Sequence, residues 1–189
     1  MEPRAVAKPM IFDVPQSVDD KEFRAAVKRM IDGATTEVLV MAGELGSLMF
    51  PDLHDAVMQA KKRGVNIRFY ASAPSPAIVD DLRANGMEIH IGPVVLKDHY
   101  LAVDGRDYAV SLKDVPGKPT QIGTRRMQCG LDEPKTVQKL KRTFLELQFL
   151  WSVEESVKTG SLITRFFSWL VEVFARGLTT TGVEPSIVR

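Results

Sequence analysis

The run Leu96-Lys97-Asp98-His99-Tyr100-Leu101-Ala102-Val103-Asp104-Gly105 reads as a polar approach, a short apolar strand and a turn. His99 to Val103 is followed by Asp104-Gly105-Arg106-Asp107 and then by a second apolar run, Tyr108 to Leu112. An Asp-Gly pair between two such runs is a strong hairpin signal, so two paired strands are predicted. The run also spaces out three chemically able groups. Residues i and i+2 of a strand point to one face, which would give Lys97 and His99 a common side.

Upstream, strands and helices alternate. Residues 1–16 hold Pro3, Pro9 and Pro15 and read as an extended lead-in. Ser17-Val18-Asp19-Asp20 looks like a helix start, and Phe23, Val27, Met30 and Ile31 give an amphipathic helix ending near Gly33. Thr36 to Ala42 is a buried strand closed by the turn Gly43-Glu44-Leu45-Gly46. The unit recurs as a helix over Leu53 to Arg63 stopped by Gly64, then a strand over Asn66 to Ala71. It recurs again as a helix over Pro76 to Asn85 closed by Gly86, then a strand over Met87 to Ile91. This alternation predicts an α/β domain with a mainly parallel central sheet flanked by helices.

Downstream, Lys113 to Asp132 is irregular, with Pro116-Gly117, Pro119 and Gly123 and the cations Lys113, Lys118, Arg125 and Arg126. A long helix starts at Glu133, with Val137, Leu140, Phe144, Leu147 and Trp151 at helical spacing. Gly160 interrupts it, and Ser161 can cap a last helix running to about Leu178. The organisation predicted is a lead-in over 1–16, an α/β domain over 17–158, an amphipathic helix over 159–178 and a loose tail over 179–189.

The bulk numbers narrow the function classes. A chain of 189 residues suits one domain with some extra helix. A net charge of +1 argues against direct nucleic-acid binding, which normally shows a marked basic excess. The single cysteine, Cys129, permits neither an internal disulfide nor a cysteine metal cluster, and favours a reducing compartment. Met1 to Asp13 lacks the pattern of a secretory signal, so a cytoplasmic location is expected. His54 and His90 have no ligand spacing, so no metal is expected. Serine-nucleophile, P-loop and dinucleotide motifs are absent, and no cofactor is expected.

The quoted run resembles a phospholipase D motif with its two working residues exchanged. Enzymes of that superfamily carry His-x-Lys and, further on, Asp, on a strand ending in Val-Asp-Gly. Here Val103-Asp104-Gly105 keeps the ending, Lys97 stands in the His position and His99 in the Lys position. From Asp20 to about Val157 the chain is similar to phospholipase D-like domains, above all to the non-catalytic sensor domain of archaeal TrmB-type transcriptional regulators. The similarity rests on Lys62-Arg63-Gly64-Val65-Asn66-Ile67-Arg68, Val103-Asp104-Gly105-Arg106 and Phe144-Leu145-Glu146-Leu147-Gln148-Phe149-Leu150-Trp151.

The resemblance implies a phospholipase D-like α/β domain with a carboxyl-terminal helical extension. It further implies a non-catalytic module, dimeric, that senses a small or anionic ligand or binds a partner protein. In active members the His attacks phosphorus and the Lys stabilises the developing charge. Moving the nucleophile by two residues displaces it by roughly 6 to 7 Å along a strand, where about 1 Å can cost a hundredfold in rate. Ser111-Leu112-Lys113-Asp114 also replaces the small-residue and Asn segment that usually follows. The alternative is a phosphodiesterase or nuclease in which His99, Lys97 and Asp104 are catalytic; a single motif would then require a homodimer. For the ligand-binding reading, Glu44, Lys97, His99 and Asp104 are the candidate lining, Glu44 because it follows a strand where parallel sheets place their crevice. Ser72 and Ser75 offer hydroxyls in the next loop, with turn chemistry as the plainer role.

The last helix carries Leu162, Ile163, Phe166, Phe167, Trp169, Leu170, Val171, Val173, Phe174 and Leu178, opposite Arg165, Ser168, Glu172 and Arg176. This apolar face is wider than packing on one domain needs, yet the helix is too short and charged to span a bilayer. Three readings stay open. The Ser161–Leu178 segment packs within the domain or across a dimer through Phe166, Trp169, Leu170 and Phe174. Or it lies in a membrane interface with Trp169 and the arginines at headgroup level. Or it docks into an unrelated partner.

Overall fold

The Asp-Gly turn after Val103 is built as its sequence predicts. In a computed structural model, which describes residues 10–15, 21–112 and 124–158, Asp104 and Gly105 have φ of 51° and 66°. The Arg106 amide donates to the Val103 carbonyl at 2.9 Å. Two successive positive φ values make a type I′ turn, whose twist matches that of the strands it joins. It links β5 (His99–Val103) to β6 (Asp107–Leu112).

Among the described residues seven strands form one sheet, ordered β1-β7-β6-β5-β2-β3-β4. The others are β1 (Met10–Pro15), β2 (Glu37–Ala42), β3 (Asn66–Ala71), β4 (Glu88–Ile91) and β7 (Thr124–Gly130). The expectation of a mainly parallel sheet is corrected to a mixed one. Only β2, β3 and β4 pair in parallel, while β5 lies antiparallel to β2. The three strands β6, β7 and β1 continue antiparallel. Helical crossovers give the parallel half; the hairpin that follows reverses the chain without one, so it adds antiparallel strands.

Among the described residues four helices cover the sheet: α1 (Lys21–Asp32), α2 (Pro51–Lys62), α3 (Pro76–Ala84) and α4 (Pro134–Lys158). A 3-10 turn, Gly46–Met49, precedes α2. One face of the sheet packs Val38, Ala42, Ile67, Phe69, Leu101, Val103 and Cys129 against α1, α2 and α3. The other packs Leu39, Met41, Tyr70, Ala102, Tyr108 and Val110 against Val137, Leu140, Phe144 and Leu147 of α4. Strand alternation thus supplies two cores from one sheet.

Two glycines are fixed by close approach to a ring. A Cβ on Gly130 would sit 2.1 Å from the Tyr108 ring, and one on Gly92 would sit 2.5 Å from the Tyr70 hydroxyl oxygen. The Tyr70 hydroxyl in turn accepts from the Val94 amide at 3.1 Å, which steers the chain leaving β4 towards residues 96–98. No described helix is long and apolar enough to cross a membrane. The helix expected over Ser161 to Leu178, with Phe166, Trp169, Leu170 and Phe174, lies outside the described residues, as do the 1–9 part of the lead-in and the tail.

Candidate functional site

The carboxyl ends of β2 and β3 converge with the chain entering β5. The Ser72 and Ala73 amides both donate to the Gly43 carbonyl, at 3.2 and 2.8 Å. The Ser72 hydroxyl accepts from the Leu96 amide at 3.3 Å. A Cβ on Gly43 would lie 2.8 Å from the Leu96 carbonyl oxygen, so glycine lets these two backbones touch. Glu44 and Lys97 are the next residues along these two strand-end loops. Both are exposed.

His99 opens β5, opposite Ser111 of β6. It has the parity of Leu101 and Val103 and so belongs to the face covered by α1, α2 and α3. Lys97 sits in a bend ahead of the strand. The alternation that was to give Lys97 and His99 one face therefore does not reach Lys97. Between them Asp98 accepts from the Tyr100 hydroxyl at 3.2 Å. Burial, then the Asp98 charge, raises the Tyr100 phenol far above its ordinary value and keeps it protonated.

Asp104 is not part of this cluster. It lies at the far end of β5, beside the start of β2, and its expected place in the ligand lining is corrected. One carboxylate oxygen accepts from the Thr35 amide and hydroxyl, both at 2.8 Å. The other accepts from the Thr36 amide at 2.8 Å, the Thr36 hydroxyl at 2.9 Å and the Glu37 amide at 2.9 Å. Burial pushes this carboxyl up, but the amides of Glu37, Thr36 and Thr35 and the Thr35 hydroxyl outweigh it and hold it well below the usual carboxylate range. Such a group fastens a hairpin to a strand. It has no lone pair to offer a ligand.

The other sequence candidates have structural partners. Ser75 caps α3, its hydroxyl accepting from the Ile78 amide at 3.4 Å, and Ser72 holds Leu96, so turn chemistry describes both. His54 Nε2 lies 2.8 Å from Asp81 Oδ2 across α2 and α3, at a groove of about 380 Å³ lined by Leu48, Pro51, Ala77 and Ile78. His90 is buried under α4, with its ring 4.5 Å from that of Trp151. Its Nε2 is 2.6 Å from Glu88 Oε1, off the direction of a hydrogen bond. Among the described residues no group of three metal-type side chains could hold an ion.

Solved structures share this layout. Nuc of Salmonella typhimurium, a phospholipase D family member, superposes with a TM-score of 0.56 at 18% identity, over 76% of this chain and 96% of that one. The chain has the phospholipase D-like fold. NucT of Helicobacter pylori shares it at a TM-score of 0.57 and 12% identity, again over 76% and 96%. TrmBL2, an archaeal chromatin protein whose structure shows a novel mode of DNA binding, shares it at 0.52 and 17%, over 72% of this chain and 50% of that protein. No known family model and no curated protein matches the chain.

Proposed function

We propose that this phospholipase D-like domain binds an anionic ligand at the strand-end cluster and acts as a non-catalytic sensing or interaction module. One observation carries the reading. The spacing Lys97-x-His99 puts a lysine in the nucleophile's position, and Lys97 lies in a bend outside the strand that would orient it. A nucleophile needs a fixed trajectory; an exposed ammonium at the strand end needs only proximity to attract a phosphate or carboxylate. Glu44 at the rim disfavours a highly charged anion and suits one that carries hydroxyls. The module pairs with a second copy, as the resemblance implies.

A phosphodiesterase or nuclease is the second reading, favoured by the retained set of groups and by the likeness to Nuc and NucT. The discriminating experiment follows hydrolysis of bis-p-nitrophenyl phosphate by the full chain and by His99→Ala. We expect no turnover above background in either, together with a melting temperature that rises with inorganic phosphate in the parent and not in Lys97→Ala. Turnover that disappears in His99→Ala overturns the non-catalytic reading.

A further inference from the structure

The groove between the amino-terminal halves of α2 and α3 joins an apolar lining, Leu48, Pro51, Ile78 and Leu82, to three polar side chains, His54, Asp55 and Asp81. Its volume of about 380 Å³ falls in the range of small-ligand pockets, roughly 300 to 1,000 Å³. Leu82 is fully buried, and Leu48 and Ile78 nearly so. The side chains of His54, Asp55 and Asp81 are 35%, 77% and 45% exposed, so the apolar residues form the floor and the polar ones the rim.

The helix dipoles do not account for this rim. α2 already has Asp52 in its first turn, paired with Arg24 at 3.2 Å, and the first turn of α3 has no acidic residue. Asp55 and Asp81 stand further along, where the dipole has fallen off. Among the described residues neither carboxylate pairs with a lysine or arginine. His54 Nε2 is turned to Asp81 Oδ2 at 2.8 Å, and Asp81 Oδ1 accepts from the Asn85 side-chain amide at 3.3 Å. Asp81 is thus engaged in orienting the ring. With Nε2–H donating there, a neutral imidazole presents Nδ1 as an acceptor. Asp55 Oδ1 lies 3.9 Å from that Nδ1, too far for a hydrogen bond between the two. A group carrying several N–H donors can reach both at ordinary hydrogen-bond lengths. Two carboxylates and one ring also leave the rim negative whether His54 is neutral or charged.

We propose that this groove binds a primary organic amine, its ammonium held by His54 Nδ1 and Asp55 and its apolar body laid on Leu48, Ile78 and Leu82. The site shares no residue with the strand-end cluster of Glu44, Lys97 and His99, and it takes the opposite charge. The two readings therefore stand or fall separately.

The test titrates the isotope-labelled full chain with phenethylammonium, followed by amide NMR shifts. Phenethyl alcohol and hydrocinnamate serve as neutral and anionic bodies of like size. The amine should give saturable shifts at His54, Asp55 and Ile78 with a Kd on the order of 1 mM, the range open to so small a ligand; the other two should not. Asp55→Asn, at a side chain 77% exposed, should leave the melting temperature unchanged and weaken amine binding at least about fivefold. Glu44→Gln at the strand end should leave amine binding as it is. Equal shifts from the alcohol, or a Kd that Asp55→Asn does not alter, overturn the proposal. So does an absence of saturable shifts, or shifts centred on Glu44 and Lys97 in place of the groove.

Discussion

Five hydrogen bonds converge on the Asp104 carboxylate, three of them from backbone amides at the start of β2. Its folded-state carboxyl titrates below the ordinary value of 3.8. The stabilisation is therefore complete above about pH 5 and fades as pH falls through the unfolded and then the folded titration. Asp104→Asn is the informative change. Asparagine tolerates the positive φ of this position, so the substitution removes charge and one acceptor while leaving the turn. We expect it to lower stability by about 2 kcal/mol at pH 7, charge-assisted bonds at a partly solvated site being the main loss. Stability should also vary less with pH below about pH 5 than in the parent. Urea midpoints across a pH series measure both; an unchanged midpoint at pH 7 means the carboxylate fastens nothing. The sequence showed the Val-Asp-Gly ending and the turn. The role of Asp104 was hidden because Thr35 and Thr36 lie 69 and 68 residues away, and spacing along a chain does not reveal which strand end meets which turn.

At the level of elements, the helices and inner strands were legible because each carries a clean period. Asn66–Ala71 and His99–Val103 have the bounds read from the sequence. β7 was not legible. In Thr124–Gly130 the alternation is carried by Met127 and Cys129 on one side and Gln128 on the other, with neither a β-branched run nor a turn pair to mark it. β1 ends in Pro15 and lies at the sheet edge, where a missing amide is tolerated; its prolines read as irregular chain. The long helix was legible, but not what fastens it. Glu37 of β2 accepts from Arg68 of β3 at 2.9 Å and from Lys141 of α4 at 2.5 Å, and the Arg68 guanidinium lies 5.2 Å over the Phe144 ring. Glu37 and Arg68 are largely sequestered, so Glu37→Gln leaves a cation short of its counter-charge. A loss of roughly 2 to 3 kcal/mol is expected. Arg142→Ala, whose partner Glu146 is solvent-exposed along the same helix, should change stability by less than about 0.5 kcal/mol. Equal effects in a urea titration would mean that α4 is held by apolar packing alone.

For the whole molecule, a mixed sheet with a core on each face decides how the parts depend on one another. The parallel half places strand ends, and hence the loops of Glu44 and Ser72, at one edge; the antiparallel hairpin returns Lys97 and His99 to that edge and carries Asp104 away to the other. A cluster legible in sequence as one motif is thereby divided between two ends of the fold. The same sheet couples the two cores, since Leu39 and Val38 are neighbours in one strand and face opposite layers. Removing packing from either side should weaken a single cooperative unit rather than release one layer. Leu82 on α3 and Leu140 on α4 are both buried, and each change to Ala should cost about 2 to 5 kcal/mol through lost transfer energy and a residual cavity. Far-UV circular dichroism and the fluorescence of Trp151 beside His90, both read in a Trp169→Phe background, should then shift together in both variants. A fluorescence transition that precedes the circular dichroism transition in Leu140→Ala alone would show that α4 detaches on its own. The sheet with α1, α2 and α3 would then be the folding unit, and α4 a docked layer whose release opens the Glu37 and His90 contacts to water.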